Sequence, residues 1–242
     1  MPSLLERMFF TLTARTNSPL ARAWMPHYPY MFSPGQLAFM VQCLDRTKDV
    51  PGCILEVGCM RGRTTVYLNR HLDSLQSTKL YYAIDTFAGF VRSDVEYEIN
   101  KRGKDSTFDW GGFNNNKKEW FDRAMTLNKI ERVSSIQVDV NQYDFSCVGP
   151  DGISFCLIDV DLYQPVKSAL AKLYPRLSPG GIIVIDDCMP AQSFDGALDA
   201  YREFISAHGL PEQIVQEKLG TIDSGAVRAQ EGALSNGSAT RS

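Results

Sequence analysis

Short apolar runs alternate with stretches of helical period through the middle of the chain. Cys53–Val57 reads as a buried strand and Thr64–Leu72 as the helix after it. Lys79–Asp85, Val133–Val138 and Ile153–Ile158 read as three further strands. Gln164–Tyr174 spaces Val166, Leu170, Leu173 and Tyr174 along one helical face. Ser178-Pro-Gly-Gly breaks that pattern and launches a fifth strand, Ile182–Ile185. Phe194–His208 forms another amphipathic helix, with Phe194, Leu198, Tyr201 and Ile205 inward, stopped by Gly209 and Pro211. Strands this apolar, separated by helices, predict a doubly wound α/β fold whose mostly parallel sheet is covered on both faces.

Three regions fall outside the rhythm. Residues 1–50 read as an N-terminal helical segment with a Pro-rich aromatic interruption, Trp24 to Pro34. Residues 51–229 form the main domain, and 87–125 is a long polar and aromatic insertion in it, carrying Phe90, Tyr97, Phe108, Trp110, Phe113, Trp120 and Phe121. Such an insertion is either a lid or substrate wall, or a locally packed helical excursion. Residues 230–242 have too little bulk to offset the entropy of ordering, and the expectation there is a disordered tail.

Composition changes the picture mainly by exclusion. The 242 residues are 44% hydrophobic and 22% charged, with a formal net charge of −3. That balance supplies no broad basic face, so a nucleic-acid partner is not expected. No run approaches the about 20 apolar residues of a membrane span. The start of the chain does not read as a signal peptide, so the expected location is cytoplasmic. The six cysteines (Cys43, Cys53, Cys59, Cys147, Cys156 and Cys188) show no paired spacing and read as core residues.

Candidate chemistry gathers where strands end. The first strand runs into Glu56-Val-Gly58-Cys-Met-Arg-Gly62-Arg-Thr64-Thr65. Two glycines between a strand and a helix let a ligand approach the backbone, and the helix start offers free N–H groups. The spacing is neither the dinucleotide fingerprint nor a P-loop. Glu56 can reach a ligand ammonium or orient water, while Asp85, about twenty residues past the turn, is placed to bind a ribose diol. Asp85 could equally cap a loop or helix. Together these residues point to a bound adenosyl group.

Asp159 and Asp161 follow the fourth strand, and Asp186 and Asp187 follow the fifth. In a parallel sheet both pairs lie on one edge. Converging carboxylates raise one another's pKa unless a cation neutralises them, and an oxygen-only donor set suits Mg²⁺ or a similar divalent ion.

The segments Glu56–Gly62, Ala83-Ile-Asp-Thr-Phe-Ala-Gly-Phe90, Ile158-Asp-Val-Asp-Leu-Tyr163, Leu173–Gly181 and Ile185-Asp-Asp187, in this order, resemble the macrocin O-methyltransferase family. The resemblance covers about residues 33–228. It implies a Rossmann-like S-adenosylmethionine (SAM) methyltransferase fold with seven strands, the last antiparallel and near residues 225–229. It also implies SAM and a divalent metal. Carried onto this chain, Glu56, Gly58, Gly62, Thr64, Thr65 and Asp159 would line SAM, Asp85 would hold its ribose, and Asp139 would lie near the adenine. Asp159, Asp186 and Asp187 match the family's metal triad. Asp161 is left as ligand, base or turn cap. His27, beside Tyr28 and Tyr30, is a candidate base, whereas His71 and His208 read as helix residues. Asp-Val-Asp stands where Asp-Gly-Asp is expected, and the insertion after Phe90 departs from the family's loop.

The expected function is therefore metal-dependent O-methylation of a sugar or glycosylated small molecule in natural-product biosynthesis, by a homo-oligomer. Asp159, Asp161 and His27 are its candidate catalytic residues. A catechol-type O-methyltransferase acting on an aromatic diol and a non-catalytic SAM-fold binding protein are the alternatives.

Overall fold

Five parallel strands run through the middle of the chain, the central ones laid down by its apolar runs. In a computed structural model describing residues 3–6, 8, 11, 27–149, 151–190 and 194–225, these are β1 (Cys53–Val57), β2 (Tyr81–Asp85), β3 (Val133–Gln137), β4 (Ile153–Ile158) and β5 (Leu177–Ile185). A hairpin of β6 (Ile214–Val215) and β7 (Leu219–Asp223) completes a seven-stranded sheet of order β3-β2-β1-β4-β5-β7-β6. β7 runs antiparallel to both β5 and β6, so six strands share one direction and β7 opposes them. β1 and β4 are buried along their whole length, whereas β3, at the sheet edge, is half-exposed.

The alternation along β1 decides what covers each face. Leu55 and Val57 pack in one cluster with Val166 and Leu170 of α5 (Tyr163–Leu173) and with Leu198 and Tyr201 of α6 (Gly196–Ala207). Glu56, of opposite parity, meets Thr65 of α2 (Arg63–Ser74) on the other face. There α1 (Pro34–Arg46) packs on α2. Ser33 and Gln36 form a reciprocal capping box that starts α1, with Pro34 in its first turn. The cysteines Cys43, Cys53, Cys59, Cys156 and Cys188 are buried free thiols, as core residues should be.

The chain divides after Met31 into two compact units, and α1 belongs with the sheet. In the first unit, Ser3 and Glu6 cap one another, and Tyr28 and Tyr30 meet edge to face. The expected tail at 230–242 lies outside the described residues.

Two sequence expectations shift. The antiparallel strand is Leu219–Asp223 rather than residues 225–229, and Gly225 already lies beyond it. Gly220 permits that position, because a side chain there would meet Cys188 Sγ at 2.6 Å. Ser178–Gly181 is not a breaker but the bulged start of β5: the helix has already ended at Leu173, and the register against β4 slips between Ile153 and Phe155.

The insertion is helical. α3 (Arg92–Arg102) and α4 (Lys118–Leu127) flank a cluster in which Phe90, Phe108, Trp110 and Phe113 pack on one another and on Phe194 at centroid distances of 5.0–6.4 Å. α3 docks through polar groups. Asp94 accepts two hydrogen bonds from Asn141 Nδ2, Glu98 accepts one from Tyr163 N at 2.7 Å, and Arg102 pairs with Glu98, Asp195 and Asp199.

Candidate active site

Strand order reverses beside β1, where the chain runs outward to β2 on one side and has β4 on the other. That is the switch point at which open α/β sheets bind ligands. The pairings Ile84 with Val57, Val57 with Ile158, and Ile158 with Ile185 set the next residues, Asp85, Gly58, Asp159 and Asp186, in one row along the carboxyl edge. The ladder continues into that row. Gly58 N donates to Ile84 O at 2.8 Å, Asp159 N to Val57 O at 2.7 Å, and Asp186 N to Ile158 O at 2.8 Å.

Gly58 has φ +89°, and a Cβ there would drive into the Asp159 carbonyl. Gly62, at φ +79°, caps α2 where a Cβ would lie 2.7 Å from Met125 and 3.0 Å from Phe121 of α4. Asp85 fastens the loop between these glycines. Its Oδ2 accepts from Cys59 N at 2.9 Å and Met60 N at 2.7 Å, and its Oδ1 from Phe87 N at 2.6 Å. Asp85 thus organises the backbone of the glycine turn, the loop-capping alternative to its expected hold on a ribose.

Glu56 is buried, and its Oε2 accepts from Thr65 Oγ1 and Tyr81 OH, each at 2.6 Å. Thr65 therefore acts through Glu56, while Thr64 is half-buried in the first turn of α2. Burial pushes the Glu56 carboxyl up to about 7, against the pull of those two hydroxyls. The folded state then keeps a proton that the unfolded chain releases near 4.5. Stability should fall as pH rises from about 4.5 to about 7 and level off above that. Buried Asp94 and Asp186, each raised to about 6 chiefly by burial, act in the same direction. Glu56→Gln, which mimics the protonated acid, is expected to flatten the fall in melting temperature between pH 5 and 7.5. Thermal unfolding across that range checks it, and an unchanged slope would remove Glu56 as a source.

Asp139 lies two residues past β3. Its Oδ1 accepts from Asn141 N at 2.8 Å and its Oδ2 from Gln142 Nε2 at 3.1 Å, which shapes the β3 loop.

The four expected acids do converge electrostatically. Burial, then the Asp186, Asp161 and Asp187 charges, raise Asp159 well above the usual carboxylate range. Asp161 is raised by burial and by a side-chain hydrogen bond with Asp187. Asp161 and Asp187 both adopt left-handed backbone, φ +59° and +55°, which is uncommon outside glycine and recurs at functional turns. Buried Asp186 has an Oδ1 with no hydrogen-bond partner. Among the described residues, no three His, Cys, Asp or Glu side chains form a ready-made metal cage.

Sequence reasoning missed Lys218. Its Nζ donates to Asp186 Oδ2 and Asp187 Oδ1, both at 2.8 Å. Burial alone would lower its pKa, but Asp186 and Asp187 outweigh that and hold the ammonium charged. Nothing around Glu217-Lys-Leu-Gly220 marks this lysine in the sequence. It is brought to the acids only because the β6–β7 hairpin packs beside β5. Tyr81 was missed too, since an aromatic at a strand start reads as core. His27 belongs to the first unit, Met1–Met31. His71 pairs with Asp45 at 2.7 Å, and His208 stacks on Phe204.

The architecture is the Rossmann-like fold of SAM-dependent methyltransferases. The O-methyltransferase NovP shares it with a TM-score of 0.66 at 16% identity, over 90% of this chain and 98% of NovP. The calicheamicin methyltransferase CalS11 shares it with a TM-score of 0.65 at 19% identity, over 93% and 95%. The chain belongs to the macrocin O-methyltransferase (TylF) family, whose model matches residues 26–228. It is 27% identical over 180 residues, 69% of this chain, to the mycinamicin III 3''-O-methyltransferase of Micromonospora griseorubida. It is 25% identical over 187 residues, 68% of this chain, to the 8-demethyl-8-(2,3-dimethoxy-alpha-L-rhamnosyl)-tetracenomycin-C 4'-O-methyltransferase of Streptomyces olivaceus. The matches span 65% and 62% of those relatives' lengths. Among the described residues, no helix is long and apolar enough to cross a membrane.

Proposed function

We propose that the protein transfers the methyl group of SAM to a hydroxyl of a sugar or glycosylated natural product, with a divalent cation at the acid cluster. The observation that carries this is the row Asp85, Gly58, Asp159 and Asp186 at the switch point of the sheet. It puts the glycine turn at the end of β1 beside the acids at the ends of β4 and β5, which supports a cofactor and an acid cluster side by side. Membership of a family of O-methyltransferases and the sugar-directed relatives support the reaction and the acceptor class.

In this reading the glycine turn and the first N–H groups of α2 hold the methionine end of SAM. Asp85, having accepted three N–H bonds, keeps about one lone pair, on Oδ1, for a ribose hydroxyl. Asp139 stands near the adenine. The insertion, with its half-buried aromatics, walls the acceptor side and limits water.

The acids fit a hard cation by two observations. Asp186 Oδ1 is buried without a partner, and the carboxylates of Asp159, Asp161, Asp186 and Asp187, at two adjacent strand ends, are near enough for their charges to raise one another, although they form no ready-made cage. Asp159, Asp186 and Asp187 would hold it. When bound, such an ion lowers the pKa of an acceptor hydroxyl and fixes its direction. Asp161, which stands beside the triad, is the candidate base that takes up the hydroxyl proton. The sulfonium is already reactive, so alignment of the acceptor oxygen provides much of the rate.

Calorimetry with S-adenosylhomocysteine, and a panel of deoxysugar glycosides incubated with SAM, test the proposal. The expected outcome is cofactor binding and a methylated glycoside. Asp85→Ala, which loses at least one charge-assisted hydrogen bond, should weaken cofactor binding by about 10-fold to 100-fold. Absence of cofactor binding to the folded wild type would overturn the reading.

A further inference from the structure

Lys218 enters the acid cluster from a turn built to hold it. Gln216 and Glu217, just before it, both have positive φ (+49° and +72°), the cramped geometry of a tight β6–β7 turn. Gln36 of α1 donates from Nε2 to Gln216 O at 3.0 Å, and Cys188 N donates to Lys218 O at 2.8 Å. The ammonium also sits 5.3 Å from the centre of the Phe32 ring, whose face attracts a cation. Its Nζ takes one oxygen from each of two adjacent carboxylates at equal distance, which is the position of a cation shared between them. Asp186 keeps its second oxygen buried and unpartnered.

We propose that Lys218 is a tethered counter-cation: it holds Asp186 and Asp187 together in the metal-free protein and is displaced when a divalent ion binds there. The inference rests on the reading of those acids as metal ligands. Lys218 Nζ occupies the Asp186 and Asp187 oxygens that a bound ion would draw on, and a positive charge a few ångströms from a divalent ion opposes it. Lys218 therefore weakens metal binding while it prevents bare repulsion among the acids before the ion arrives. It is a positioning residue, because it acts through Asp186 and Asp187 rather than on substrate.

Binding of Mn²⁺ alone to the full chain, followed by calorimetry, tests this in wild type, Lys218→Met and Lys218→Arg. The methionine keeps the packing on Phe32 and removes the charge, so Mn²⁺ should bind at least about tenfold tighter, a change of about 1.4 kcal/mol. The arginine keeps the charge and should stay within about threefold of wild type. In EDTA the methionine variant should melt below wild type, and Mn²⁺ should restore it. If the methionine variant does not fold, Lys218→Gln takes its place, since it keeps a donor to the carboxylates without the charge. Wild type and the uncharged variant binding Mn²⁺ equally would overturn the counter-cation and leave the metal reading intact. Binding by the uncharged variant alone would overturn the displacement of Lys218 in the native protein together with the metal reading. Binding by neither would overturn both.

Discussion

Gly58→Ala is expected to abolish S-adenosylhomocysteine binding and to lower the melting temperature by roughly 10 °C, the equivalent of about 3 kcal/mol. Two costs combine at this position. A left-handed residue with a Cβ costs about 1–2 kcal/mol on its own. At Gly58 the added carbon would also strike the carbonyl of Asp159, a backbone atom at the end of a central strand that cannot swing aside. Gly103, which caps α3 at φ +70°, separates the two costs, because a Cβ there meets nothing within 4 Å. Gly103→Ala should therefore show only the conformational part, with cofactor affinity unchanged. The difference between the variants is the clash, and it falls at the carboxyl ends of β1 and β4, beside the proposed cofactor site. Thermal unfolding and calorimetry on both variants measure it. Equal behaviour of the two would show that the close approach of β1 to Asp159 does not constrain the site.

How much of this was legible in the sequence depends on what each element buries. β1, β4 and the end of β5 are buried at every position because both faces are covered, and apart from Glu56 and Ser154 they are apolar, so they stand out without any periodicity. The acids that follow them were legible for the same reason: a carboxylate directly after a buried strand must leave the core at one edge. α3 was not legible. Its inward stripe is Asp94, Glu98 and Arg102, spaced i, i+4, i+8, and these are satisfied by Asn141, the Tyr163 N–H and two aspartates rather than by apolar contact. A helix that docks by hydrogen bonds and ion pairs carries no hydrophobic period, so the segment reads as a polar loop. The β6–β7 hairpin escaped because β6 has only two residues and β7 contains a glycine. With the hairpin went Lys218, whose importance is set by a partner far away in sequence. Asp85 shows the opposite case. Its position was read correctly, but its three bonds to the glycine loop depend on how two loops meet in space.

Removal of divalent ions by EDTA is expected to cut methyl transfer to the best acceptor of the glycoside panel by at least about a hundredfold, with S-adenosylhomocysteine affinity changed by less than about threefold. The separation follows from the layout of the edge. In the proposed site the cofactor is held by the glycine turn and Asp85, at the ends of β1 and β2, whereas the acids lie at the ends of β4 and β5. Asp186→Asn carries the same argument into the protein. It removes one charge from a cluster in which burial and neighbouring carboxylates already push Asp186 up to about 6, so the metal-free protein should be no less stable than wild type. The amide oxygen can still accept from Lys218, while the loss of charge should weaken Mn²⁺ binding by about tenfold or more. Asp139→Asn is the matched control, because that carboxylate shapes the β3 loop and should leave metal affinity unchanged. Stability sets this apart from a merely structural role. If Asp186 only braced the β5 loop, the asparagine variant would melt lower and Mn²⁺ would not distinguish it from wild type. Full turnover after exhaustive chelation would remove the metal from the reaction and leave Asp161 and alignment of the acceptor to carry it.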